Sequence, residues 1–167
     1  MWAALLACAL AGSAQKFLAA LTAVCIGLPE SGVGQTFGAW QFGKIDGVCA
    51  VASPSVARGD NRSFNIMVTD DDRIFLYVAL DQEVPNGARH FAIQISGAPY
   101  WLLGTVDNGA LLFDLSTHPE SSGMLTDIID GRTLTLIGGL GDEVARFSLN
   151  GSGRAMARLA ACIEQGE

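Results

Sequence analysis

Two regimes of hydrophobic patterning divide the chain. Residues 3–28 are almost wholly apolar, whereas from Gln35 onward short apolar stretches are broken by Gly, Asp, Asn and Pro. Short apolar runs with such punctuation read as β-strands. Phe37–Ile45 is the first expected strand, with Trp40 and Phe42 on one face. Val48–Ala52 is the second, followed by a turn at Pro54 and a loop through Arg58, Gly59, Asp60 and Asn61. Ser63–Thr69 and Arg73–Leu80 flank Asp70, Asp71 and Asp72, a hairpin signal because Asp tolerates turn dihedrals and bonds its own backbone. Arg89–Ser96 alternates, with Phe91, Ile93 and Ile95 inward, as a half-buried strand does. Tyr100–Val106 and Ala110–Leu115 flank Asp107-Asn108-Gly109 as a second hairpin. Arg132–Ile137 and Val144–Leu149 flank the glycine-rich turn at residues 138–142.

Two stretches change period. In Ser122–Asp130, Met124, Leu125, Ile128 and Ile129 recur at helical spacing, with Ser122 as the expected N-cap. Near the end, Ser152 is an expected N-cap, and Ala155, Met156, Leu159, Ala160 and Ile163 form one apolar stripe. The pattern predicts a mainly β domain, an antiparallel sandwich or partly closed barrel, with a short helix and a C-terminal helix. Its expected core is Trp40, Phe64, Ile66, Phe75, Tyr77, Phe91, Ile93, Phe113, Leu134, Leu136, Phe147 and Leu159.

The apolar start reads as a signal peptide or N-terminal leader over residues 1–34, with a single β-rich domain over 35–167. Lys16 supplies a positive flank to the apolar run Phe17–Leu28, which favours cleavage between Pro29 and Gln35 over a shorter signal ending at Ala14. Contact with a membrane is expected only through an uncleaved leader, because Gln15 and Lys16 split the apolar runs below a spanning length. The 167 residues carry a net charge of −7, with a sequence pI near 4.6. Nucleic-acid binding needs a basic face, so that class is excluded as a partner.

Cys49 lies in apolar Val48–Val51, and Cys162 lies on or beside the stripe of the last helix. A cysteine on the core face of a terminal helix reaches a buried strand, and the leader favours an oxidising compartment. A Cys49–Cys162 disulfide is therefore expected, with two buried free thiols as the alternative.

Little else carries chemistry. His90 opens a strand and His118 lies in a loop, without a local third ligand to complete a metal site. Asp70–Asp72 lacks the glycine and distal Glu of a calcium loop. No metal, cofactor or catalytic residue is expected, and a non-enzymatic role follows. Candidate contacts for a partner or ligand are Tyr100 and Trp101, since alternation puts one aromatic ring outside, and Arg154 and Arg158. The two arginines are i,i+4 on the outer face of the last helix, so they meet either nearby carboxylates or an anionic partner.

FGAWQFGKIDGVCAV (37–51) and FSLNGSGRAMARLAACI (147–163) resemble the ends of the invasion-associated locus B family of small exported alphaproteobacterial proteins. Phe37, Gly38, Trp40 and Cys49 carry the first likeness, and Phe147, Leu149, Gly151, Ala155 and Cys162 the second. The resemblance implies a periplasmic, secreted or outer-membrane-associated interaction protein of mainly β structure, linked in some members to host-cell association. It brings no catalytic residues and leaves the protein or envelope partner unnamed. The second expectation is a periplasmic small-ligand binder, with an apolar cavity rimmed by Tyr100 and Trp101.

Overall fold

The computed structural model describes residues 34–165 apart from 46, 59, 70, 81–83 and 98. The expected leader lies outside the described residues. Ten strands form: β1 Gln35–Phe37, β2 Trp40–Ile45, β3 Val48–Pro54, β4 Ser63–Val68, β5 Ile74–Ala79, β6 Gly87–Ile95, β7 Pro99–Asp107, β8 Ala110–Asp114, β9 Thr133–Ile137 and β10 Glu143–Ser148. Helix α1 spans Ser121–Asp130 and α2 spans Ser152–Gln165. The strands make one antiparallel sheet in the order β1-β2-β3-β4-β5-β8-β7-β6-β9-β10. The mainly β class therefore holds, with a C-terminal helix and no closed barrel.

A twisted sheet this long curls, and here it folds over until β10 meets the end of β3. A single antiparallel bridge, Ser55 to Phe147, marks the meeting. The Val56 N–H donates to the Arg146 carbonyl at 3.0 Å, and Ser53 Oγ donates to the Ser148 carbonyl at 2.9 Å. Arg62 donates to the Val144 carbonyl and pairs with Asp60 at 2.7 Å. Burial pulls the Asp60 carboxyl upward, but hydrogen bonds from Arg62 and Ser55 outweigh it and hold the group below its ordinary value.

Inside the curl lies one continuous core. Trp40, Phe64, Ile66, Phe113, Leu134, Leu136 and Phe147 are almost completely buried. Their rings meet edge-on or tilted, Trp40 to Phe64 at 6.1 Å and Phe64 to Phe147 at 5.7 Å. Such pairs add about 0.5–1.5 kcal/mol beyond the area they bury. The α2 residues Ala155, Leu159 and Cys162 join this core. Cys162 bonds to Cys49 of β3 across 113 residues of sequence.

Several expectations shift. Phe37–Ile45 is not one strand: the chain turns at Gly38 and Ala39, and Phe37 pairs with Trp40 across the turn. Pro54 is the last residue of β3 instead of lying in a turn. In β5 the residues in the core cluster are Leu76 and Val78. Phe75 and Tyr77 alternate with them onto the opposite face, where Tyr77 is buried as expected and Phe75 is half-buried with the Arg73 guanidinium 4.8 Å above its ring. Glu120, not Ser122, occupies the N-cap of α1, without a side-chain cap. Ser152 starts α2, but its hydroxyl donates to the Ile129 carbonyl at 3.2 Å instead of capping its own helix. Ile129, Ala160 and Ile163 face solvent, so both apolar stripes are narrower than their spacing implies.

The turn between β1 and β2 is held against the turn before α2. Ala39 N–H donates to the Asn150 carbonyl at 2.9 Å, and Trp40 Nε1 donates to the Ser148 carbonyl at 3.1 Å. Gly151 has φ +92°, and a Cβ there would fall on the Phe37 carbonyl oxygen. Gly151→Ala is expected to lower stability by about 2 kcal/mol or more through left-handed strain and that collision. Gly43→Ala, with open space around it, should change the urea midpoint little by comparison. Replacing both Cys49 and Cys162 with Ala should reduce stability by up to about 4–5 kcal/mol in the chain-entropy picture of so long a loop. Urea unfolding of that variant beside the oxidised parent measures it.

Candidate functional site

The long strand β7 and helix α1 meet where Tyr100 bonds to Asp127 and the next strand residue, Trp101, is exposed. Alternation along Pro99–Asp107 turns Leu102, Gly104 and Val106 inward. Trp101 and Leu103 point out and are 53% and 61% exposed. Their cross-strand partners on β6 are Ala92 and His90, and Ala92 pairs on its other side with Ile137 of β9. Ala92 is fully buried, so Trp101 stands on an apolar floor.

Tyr100 points the other way, towards α1. Its hydroxyl donates to Asp127 Oδ2 at 2.6 Å. That bond to a carboxylate, helped by burial and by the charges of Asp127 and Glu120, holds the phenol above its ordinary value. A cavity of about 350 Å³ lies here, lined by the β6–β7 turn, Tyr100, Glu120, Asp127 and Asp130, with no basic residue in its lining. The expected ligand cavity was an apolar space rimmed by both Tyr100 and Trp101. The observed one is acidic and lined by Tyr100 alone of the pair, because adjacent strand residues face opposite sides.

The other predicted contacts lie apart, on α2. The Arg158 guanidinium sits 4.5 Å over the Phe42 ring, and Arg154 sits 6.0 Å from that of Phe37. Arg158 is half-buried, not on an open helix face. Neither arginine forms a salt bridge among the described residues. Cation–π stacking of this kind contributes about 0.5–1 kcal/mol when exposed, so these arginines brace α2 against β1 and β2. Cys49 and Cys162 are joined and buried, which makes them structural. His90 is exposed on β6, and His118 Nδ1 accepts the Glu120 N–H at 3.3 Å. Among the described residues no three His, Cys, Asp or Glu side chains gather to hold a metal, and no helix is long and apolar enough to cross a membrane.

Sequence reasoning missed Leu103, Glu120, Asp127 and Asp130. Leu103 was recoverable, being two residues beyond Trp101 in an alternating strand. Asp127 carried no signal, because its link to Tyr100 spans 27 residues and depends on where α1 docks.

No protein-family model matches this chain, and no curated protein does. Among solved structures, it is similar to the crystal structure of invasion associated protein B from Bartonella henselae. The TM-score is 0.59 at 15% identity, over 81% of this chain and 100% of that one. The likeness is one of fold.

Raising pH gives a check on the Tyr100–Asp127 contact. A tyrosine whose folded value is raised lends stability that is fully present below the unfolded value of about 10 and is lost as pH climbs through the folded value. Ultraviolet titration of the folded protein should show Tyr100 ionising above that range. Asp127→Asn should bring it back down, and an unchanged titration would contradict the contact.

Proposed function

We propose that this chain is an exported cell-envelope protein of the invasion-associated locus B type, periplasmic, secreted or outer-membrane associated. It acts as a non-enzymatic interaction module. Three observations support the reading. The fold is like that of invasion associated protein B over most of the chain. The Cys49–Cys162 bond suits an oxidising compartment. The observation that carries most weight is the exposed pair Trp101 and Leu103, large apolar side chains held on a rigid sheet, where an aromatic anchor contributes most to an interface. Host-cell association is the setting that the resemblance implies for some members of the family, and it enters here only as a context for such contacts.

A second reading, a periplasmic small-ligand-binding protein, draws on the acidic cavity beside Tyr100. Its ligand would be cationic, since the lining holds carboxylates and no compensating base.

Expression of the full chain in an alphaproteobacterial host, with a photo-crosslinking residue at position 101 or at exposed position 157 of α2, tests both. The interaction reading expects an oxidised chain lacking its leader in the periplasm, cross-linked to a partner from position 101 and not from 157. A reduced, full-length cytosolic chain, or equal cross-linking from both positions, would sink it. A co-purifying small cation in native mass spectra without position-101 cross-links would favour the second reading. Turnover of a substrate that a single side-chain change abolishes would overturn the non-enzymatic role.

A further inference from the structure

Strand β7 lies inside the sheet, yet among the described residues half of it pairs on one side only. It pairs with β6 along almost its full length, from Gly87↔Val106 to Gln94↔Pro99. With β8 it pairs only at Thr105, Val106 and Asp107. Beyond that point β8 follows β5, to which Phe113 and Asp114 pair. The chain then stays with β5, since the Leu115 N–H donates to the Ile74 carbonyl at 2.9 Å. The sheet therefore forks, and Pro99–Gly104 is left with an edge facing the fork.

The register fixes which groups line that edge. Asn108 and Gly109 form a two-residue turn, so its flanking pair, Asp107 and Ala110, is the hydrogen-bonded kind. Every second residue back along β7 directs its N–H and C=O the same way: Thr105, Leu103, Trp101 and Pro99. Thr105 uses its groups on β8, and Pro99 has no N–H to offer, the placement expected of proline on an edge strand. Trp101 and Leu103 present their backbone groups to the fork, flanked by their own exposed side chains on the outer face. On the inner face the neighbour is Tyr100, with Asp127 and Glu120 behind it.

We infer that this fork is a strand-addition site that takes an extended peptide segment of a partner protein, with apolar side chains on its outer face and a basic one beside Tyr100. An antiparallel strand bonded to Trp101 and Leu103 places the residues opposite them on the outer face, against the indole and the leucine. The residue opposite Tyr100 points inward to the carboxylate-lined cavity, where a Lys or Arg finds opposite charge and no competing base. Backbone bonding supplies affinity, and the alternation of apolar and basic positions supplies selectivity. The inference names the kind of partner for the interaction module proposed above and rests on that reading.

The test uses the oxidised full chain and a defined probe, acetyl-Val-Thr-Val-Lys-Thr-amide, followed by amide NMR and hydrogen exchange. In the free protein the Trp101 and Leu103 amides should exchange about 100-fold faster than those of Thr105 and Asp107, which are paired. Adding the probe should slow them and shift Tyr100 and Asp127. Methylating the two valine nitrogens, or replacing the lysine with glutamate, should weaken binding about tenfold or more. Leu103→Pro removes an outward N–H without touching the ladder to β6, so it should keep the disulfide and melting temperature and lose the probe. Trp101 and Leu103 amides as protected as Thr105, or equal binding of the methylated peptide, would overturn strand addition. Equal binding of the glutamate peptide would overturn the basic preference. Lysine amide alone reproducing all the shifts would mark a small-cation site instead. Position-101 cross-links that persist in the Leu103→Pro chain would leave the interaction reading standing and overturn only the peptide edge.

Discussion

Everything described here depends on the closure of one long sheet over one core. A ten-stranded antiparallel sheet left open would expose a broad apolar face and two long edges. Here the β10 end is brought to β3 by a seam of single contacts: the Ser55 bridge, the Ser53 hydroxyl and Arg62 on the Val144 carbonyl. No continuous ladder crosses that seam, so packing beneath it must hold the two halves together. Trp40, Phe64 and Phe147 do so, and α2 completes the enclosure.

The last helix is fastened in three chemically different ways. Leu159 and Ala155 bury apolar surface. Arg158 stacks its guanidinium on Phe42, covering an aromatic ring with the one long side chain whose charge tolerates partial burial. The disulfide to β3 restricts the unfolded chain more than it strengthens any native contact. The helix start is set by steric fit, because only glycine at position 151 lets the chain pass the Phe37 carbonyl. These features lie at the two ends of the domain in sequence, where the resemblance to the invasion-associated locus B family is also found. That likeness therefore reports the closure of the fold and not the chemistry of its surface.

The surface features arise where closure strains the regular pattern. Strand β8 has to follow β5 to stay with the core, and β7 stays with β6, so the sheet divides between them. On the inner side, α1 brings Asp127 to the Tyr100 hydroxyl. One strand thus presents an apolar outer face and an acidic inner cavity within two neighbouring residues, a direct result of the two-residue period of extended chain.

Period, turns and composition were enough to determine the class of the fold, most strands, both hairpins at Asp70–Asp72 and Asn108-Gly109, and both helices. These are local properties, written in alternation, in Asp and Gly at turns, and in apolar spacing. The Cys49–Cys162 pairing was expected with free thiols as the alternative, and only the assembled chain joins them. Tertiary structure alone decided which face of β5 meets the core, because IFLYVA (74–79) is apolar on both faces and gives no alternation to read. It also broke the expected first strand at Gly38, where the turn bonds to Asn150 more than a hundred residues away. It placed Arg154 and Arg158 on aromatic rings, without salt bridges to carboxylates among the described residues. The Tyr100–Asp127 contact and the fork at β7 had no local signature, since each depends on where a separately formed element docks. Sequence period specifies elements through nearest neighbours, whereas contacts between elements follow from packing a single core, and only the assembled chain contains that information.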